Sequence, residues 1–198
     1  MRKRIIAIFL SFLFFLPCRD AAGILVTLDK KDVEDAIKTG KKQGFNVTKY
    51  LKQRFRFGEE NVYEENGTIR TKWGKLAMFS GLLAVKGREP TGEEKDRILK
   101  STNLQIDIHT FGNRIDFADV YKVQLLQKGK VIEPEKKSAD HVIYLPGKKI
   151  ATSGFPKYRA TVRSYISYDK INPNEKAEIV LIKNGKKVRF EVNFADYK

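Results

Sequence analysis

The sequence predicts an α+β fold, a helical N-terminal segment packed on a C-terminal antiparallel β-sandwich. Three observations carry this. Apolar residues recur with the period of a helix up to about residue 101, they alternate with period two from there to the end, and turn-forming dipeptides punctuate the second stretch. Hydrophobic residues make up 41% of the 198, enough for a packed core.

Residues 1–23 stand apart from that fold. Met1-Arg2-Lys3-Arg4 is basic, Ile5 to Leu16 is an almost unbroken apolar run, Pro17 follows, and Ala21 and Gly23 are small. As a helix the apolar run covers about 18 Å, short of the roughly 30 Å of a bilayer's hydrocarbon. The pattern is that of a secretory signal peptide cut after Gly23. Cys18 would anchor the chain to a membrane only if it were lipidated, and Pro17 stands where a lipidation motif needs a small residue.

Residues 24–101 read as mainly helical. Asp29 is placed to cap a first helix, with Val33, Ala36, Ile37 and Gly40 on one stripe and Gly44 as its stop. Asn46 is expected to cap a short second helix bearing Val47, Tyr50 and Leu51. Gly58 to Gly67 is acidic and polar and reads as a loop. A third helix carries Trp73, Leu76, Ala77, Ser80, Leu83 and Ala84 on one side, with Met78, Phe79, Leu82 and Val85 around the rest, so it is expected to be buried on all sides. Thr91 and Glu94 form a capping box that opens a fourth helix.

Residues 102–198 read as the sandwich. Strands are expected at Leu104–His109, Tyr121–Leu125, His141–Leu145, Tyr158–Tyr168, Glu178–Lys183 and Val188–Phe194. Asn184-Gly185 suits a type I′ hairpin turn, and Lys128-Gly129 is a weaker signal of the same kind. Short strands at this spacing suggest a sandwich of Ig-like or C2-like architecture.

Charge and composition exclude more than they identify. The 39 Lys and Arg against 24 Asp and Glu give +15, and loss of residues 1–23 leaves +12. That balance is spread over both halves with no basic tail, which together with the export signal makes nucleic acid an unlikely partner. One Cys and two His argue against zinc-finger, disulfide-rich and haem-attachment readings. There is no G-x-S-x-G elbow, no phosphate-binding loop and no cofactor fingerprint. His109 with Asp107, and His141 with Asp140, do not by themselves make the three-ligand set a metal requires. Asp107, Asp116 and Asp119 read as loop acids between strands. No catalytic residue, metal ligand or cofactor is assigned.

One stretch stands out. From His141 through Tyr168, 28 residues pass without an acid, while Lys148, Lys149, Lys157, Arg159 and Arg163 interleave with tyrosines. On a strand, Lys157, Arg159, Thr161, Arg163 and Tyr165 share one face, with neighbours about 6.7 Å apart. With Lys148 and Lys149 in the preceding turn, this face is the candidate anion-binding surface. Arg can hold phosphate or carboxylate through two parallel hydrogen bonds. Outside the cytoplasm the expected partners are an anionic glycan, a lipid headgroup or an envelope protein.

The sequence therefore predicts an exported, periplasmic or secreted, non-enzymatic binding module. The alternatives are an exported hydrolase of an envelope polymer with a dispersed carboxylate site, and a structural adaptor subunit. A second basic and aromatic run, Lys49 to Phe57, resembles a membrane-surface segment, but Phe55 and Phe57 cannot share a helical face, so it reads as a helix end with core-seeking aromatics.

Overall fold

The computed structural model describes residues 23–59, 64–143 and 156–198. The leader with Cys18, the turn with Lys148 and Lys149, and the second half of the strand expected at His141–Leu145 lie outside them. The α+β reading holds: helices α1 (Lys30–Gln43), α2 (Val47–Arg54), α3 (Lys72–Ala84) and α4 (Gly92–Leu99) accompany two antiparallel sheets. Among the described residues no helix is long and apolar enough to cross a membrane.

The first sheet has the order β1 (Arg56–Phe57), β2 (Asn66–Arg70), β3 (Asn103–Gly112), β7 (Tyr158–Ser167), β6 (Lys136–Ile143). The second has β5 (Lys130–Ile132), β4 (Lys122–Gln127), β8 (Lys176–Lys183), β9 (Lys186–Asn193). Leu104, Ile106, Ile108, Val162 and Ile166 from the first sheet and Val123, Leu125, Ile179 and Leu181 from the second are buried in one continuous core. The alternation that predicts the strands is thus the alternation that fills the sandwich. Lettered in chain order from β2, with β5 as C′, the first sheet contains the order A-B-E-D and the second the order C′-C-F-G, the strand order found in immunoglobulin-type sandwiches, with β1 added beside A.

Local signals operate as expected at most element ends. The Asp29 carboxylate accepts from the Asp32 amide at 2.7 Å, and Asp32 returns the bond to the Asp29 amide at 3.3 Å. Thr91 and Glu94 exchange the same pair of bonds at 3.2 and 2.9 Å. Asn184 and Gly185 have φ of 50° and 78°, and Lys128 and Gly129 have 50° and 76°, so both dipeptides make the primed turns of tight hairpins.

Five expectations are corrected. Asn46 does not cap α2: it sits in a 3₁₀ turn with φ −85° and ψ −3°, whereas a capping side chain needs extended backbone. The boundary at 101 does not separate a helical unit from a sandwich, since β1 and β2 come from the first segment and β2 pairs with β3 along its whole length. Asn66 and Gly67, read as the end of a loop, belong to β2, a strand with too few apolar residues to display a period. β6 begins at Lys136, five residues earlier than expected, because its edge position permits polar residues on both faces. Finally, α3 is not buried all round. Leu82 and Val85 are exposed, as is Phe45 in the turn before α2.

The helices lock together through small residues. Gly40 of α1 lies so close to α3 that a Cβ there would come within 2.1 Å of the Ala77 carbonyl oxygen. Trp73 of α3 donates its indole N–H to Asp35 of α1 at 3.1 Å, and Lys198 reaches the same carboxylate at 2.9 Å. The chain end is thereby drawn into the helical layer, where Tyr197 stacks on Phe55.

Gly40→Ala is expected to destabilise the protein by about 2–3 kcal/mol through overpacking. Gly92→Ala, where a Cβ meets nothing, should be neutral or slightly stabilising. Urea unfolding of the two variants beside the parent checks both.

Candidate anion-binding cleft

The predicted face of β7 forms as expected. Ala160, Val162, Ser164 and Ile166 are buried, while Arg159, Thr161, Arg163 and Tyr165 point to the outer side of the first sheet. Register sets their neighbours: Phe111 beside Arg159, His109 beside Thr161, Asp107 beside Arg163 and Gln105 beside Tyr165. On the other flank of β3, Thr68 lies beside Asp107 and Arg70 beside Gln105.

The row of cations is not one continuous surface. Arg163 is bonded to Asp140 of β6, and its Nε lies 3.9 Å from Asp107. Tyr165 stands six residues from Arg159, about 20 Å along the strand. Lys157 is exposed just before β7 starts. Of the predicted residues that are described, Arg159 is the one that lines a concave site.

That site is a cleft of about 250 Å³ between the outer face of the first sheet and helices α2 and α3. From α2 come Thr48, Leu51 and Lys52, whose i, i+3, i+4 spacing puts them on one helical face. From α3 come Lys75 and Met78, again three apart. Thr68 and Arg70 of β2, His109 of β3, Arg159 of β7 and the Phe55 ring complete the lining. Lys52, Arg70 and Lys75 were not singled out from the sequence. The traces there were the basic run from Lys49 to Phe57 and Lys75 among the apolar residues of α3.

Beneath the cleft lies Asp107, which is fully buried and belongs to a strand, not to an inter-strand loop. Its Oδ2 accepts from Arg70 Nε at 2.5 Å, and its Oδ1 accepts from Gln105 Nε2 at 2.8 Å. Arg70 also directs Nη1 at the Met78 sulfur, 3.4 Å away. Lys75 donates to the Asn103 carbonyl at 3.4 Å. Burial lowers the Lys75 ammonium to about 8, with the charges of Arg70 and Lys72 acting in the same direction and Asp107 opposing them.

His109 reports the potential inside the cleft. Burial lowers its pKa to about 4, helped by the positive charges of Lys52, Arg159 and Arg70 and opposed by Asp107. Its Nδ1 lies 3.1 Å from the Thr161 hydroxyl. The imidazole is therefore neutral at ordinary pH, in a site whose remaining charges are mostly positive. Lys52 and Arg159 pair with no carboxylate among the described residues.

The two histidines stand on opposite sides of the first sheet. His109 is on the outer face, while His141 is level with inward-facing Ala160, where it accepts the Ala118 amide at 3.2 Å and meets the Phe117 ring edge-on. Among the described residues no group of three or more His, Cys, Asp and Glu is placed to hold a metal. Compared with protein-family models, curated proteins and solved structures, the chain matches none.

Asp107→Asn would leave Arg70 without its carboxylate and turn an amide N–H₂ toward cations. A loss of about 3 kcal/mol is expected, read as a fall in the urea midpoint. His109 sets a pH dependence. Its folded pKa near 4 lies below the unfolded value near 6.5, so the unfolded chain binds the extra proton and stability rises from pH 4 to 6.5. That rise should shrink by about 2–3 kcal/mol in His109→Gln, measured by urea unfolding across the same range.

Proposed function

We propose that this protein is an exported, non-enzymatic binding module that takes an anionic partner at the outer face of its five-stranded sheet, with the cleft as the centre of that surface. The observation that carries the reading is the convergence of Lys52, Arg70, Lys75 and Arg159 on one concavity, above a single buried carboxylate. Two of those cations, Lys52 and Arg159, are left without a counter-ion among the described residues, and a ligand's negative charge would complete them. The basic leader and apolar run of residues 1–16 support export, and hence a partner outside the cytoplasm.

In this reading Arg163 is a structural cation, since Asp140 and Asp107 already share its charge. The functional cations are those whose desolvation and repulsion the fold has not compensated. The neutral His109 adds a hydrogen-bonding group to the same surface without adding charge.

The double variant Lys52→Glu/Arg159→Glu tests the proposal. Binding to heparin and to vesicles of phosphatidylglycerol should fall at least tenfold, with a shallower dependence on salt, while the circular dichroism spectrum stays that of the parent. Unchanged retention on heparin together with unchanged vesicle binding would overturn it.

A further inference from the structure

We infer that the cleft takes a single-headed anionic amphiphile, with a compact head between Lys52 and Arg159 and an unbranched apolar tail of about five to seven methylenes running past Leu51, Phe55 and Met78. The inference rests on the proposed anion-binding reading and specifies its ligand class.

Size comes first. At about 250 Å³ the cleft is small for a ligand site. A sugar polymer or a phosphodiester chain would cover far more surface than the cleft itself offers, whereas this volume matches one small head and a short tail. It also lies below the range usual for drug-sized ligands.

Polarity comes second, because the lining is divided. Arg70 is committed to Asp107, and Lys75 donates to the Asn103 carbonyl, so the cations available to a ligand are Lys52 and Arg159. Arg159 lies opposite Phe111, two positions along β3 from His109, and both Lys52 and Arg159 act on the His109 ring. The head therefore belongs at the His109 end. Leu51 and Phe55 are buried, and a Cβ on Gly74 of α3 would lie 3.2 Å from the Phe55 ring. The Phe55 ring, Leu51 and the Met78 thioether form the apolar wall. A fully hydrated anion would leave that wall unused, and a neutral hydrocarbon would leave Lys52 and Arg159 unpaired.

The arrangement provides its own readout. An anion seated between Lys52 and Arg159 offsets the positive charges that press on His109 from α2, β2 and β7, so the imidazole should become easier to protonate. Asp107 on its own strand already opposes them, and the Thr161 hydroxyl is its hydrogen-bonding neighbour. Ligand binding should therefore take up protons between about pH 4 and 6.

The test is an NMR titration of the His109 ring in the whole protein, with alkanoates from acetate to dodecanoate, octyl phosphate, 1-octanol and heparin, all below their micellar concentrations. Affinity is expected to rise about threefold per methylene up to octanoate and then level off. Octanoate or octyl phosphate should raise the His109 pKa by about one unit, and the stronger of the two identifies the head as carboxylate or phosphate. Acetate and 1-octanol should each bind at least tenfold more weakly than octanoate. In Lys52→Gln/Arg159→Gln the octanoate response should be lost while the urea midpoint is retained. Acetate binding as tightly as octanoate would overturn the tail assignment. Heparin binding with neither octanoate nor octyl phosphate bound would overturn the ligand class and leave the anion-binding reading standing. Binding of none of them would overturn both.

Discussion

The Asp107 carboxylate is the interaction on which the outer half of this structure depends. It lies on the central strand of the five-stranded sheet, on the face opposite the sandwich core, and it is fully buried. Arg70 from β2 and Gln105 from its own strand bond it directly, with Arg163 from β7 close by. A buried carboxylate is tolerated only when its charge and lone pairs are answered, and these three side chains answer them. In return, Asp107 holds the cations of the two flanking strands, Arg70 and Arg163, at a spacing they would otherwise resist.

Helices nonetheless lie over this polar sheet face. The inner face of the sheet is mainly aliphatic at its centre and closes against the second sheet. The outer face carries Thr68, Arg70, Gln105, Asp107, His109, Thr161 and Arg163, which would not hold a helix by hydrophobic contact. Helices α2 and α3 are held from other directions. The close approach of α1 and α3 at Gly40, the Trp73 bond to Asp35 and the stacking of Tyr197 on Phe55 fix them from behind. They are thus suspended over the sheet, and the incomplete contact between a polar face and a helical layer leaves the cleft.

A cleft formed this way is electrostatically uneven. Where strands bring acid and base together, at Asp107, charge is nearly balanced. Toward the end marked by His109 and Arg159, no described carboxylate answers Lys52 or Arg159, and the neutral imidazole between them records the excess. The unbalanced end is set by which residues happen to be level with one another across the strands and the overlying helix, not by the overall positive charge of the chain. Arg163 and Arg159 make the point. They are four residues apart on one face of one strand, yet one is neutralised by Asp140 and the other opens into the cleft.

Local chemistry was legible in the amino-acid order alone. The capping pairs Asp29–Asp32 and Thr91–Glu94, the two hairpin turns and the inward alternation of β7 each depend on residues within a few positions of one another, and each lies in the structure where short-range rules put it. The division of that strand into a buried and an outward face was legible for the same reason. What the neighbouring chain does to that outward face was not. Arg70 and Asp107 are 37 residues apart, and Lys52 reaches the cleft from a helix that precedes the sheet's central strand by some fifty residues. β2 entered the sheet unannounced because its pairing with β3, not its own apolar period, makes it a strand. The sequence thus determined the elements, their caps and the polarity of each face, since those are properties of adjacent residues. Only the tertiary structure decided which cations are paired, which remain open and where a concavity lies, because register and helix placement bring together charges that the chain order keeps apart.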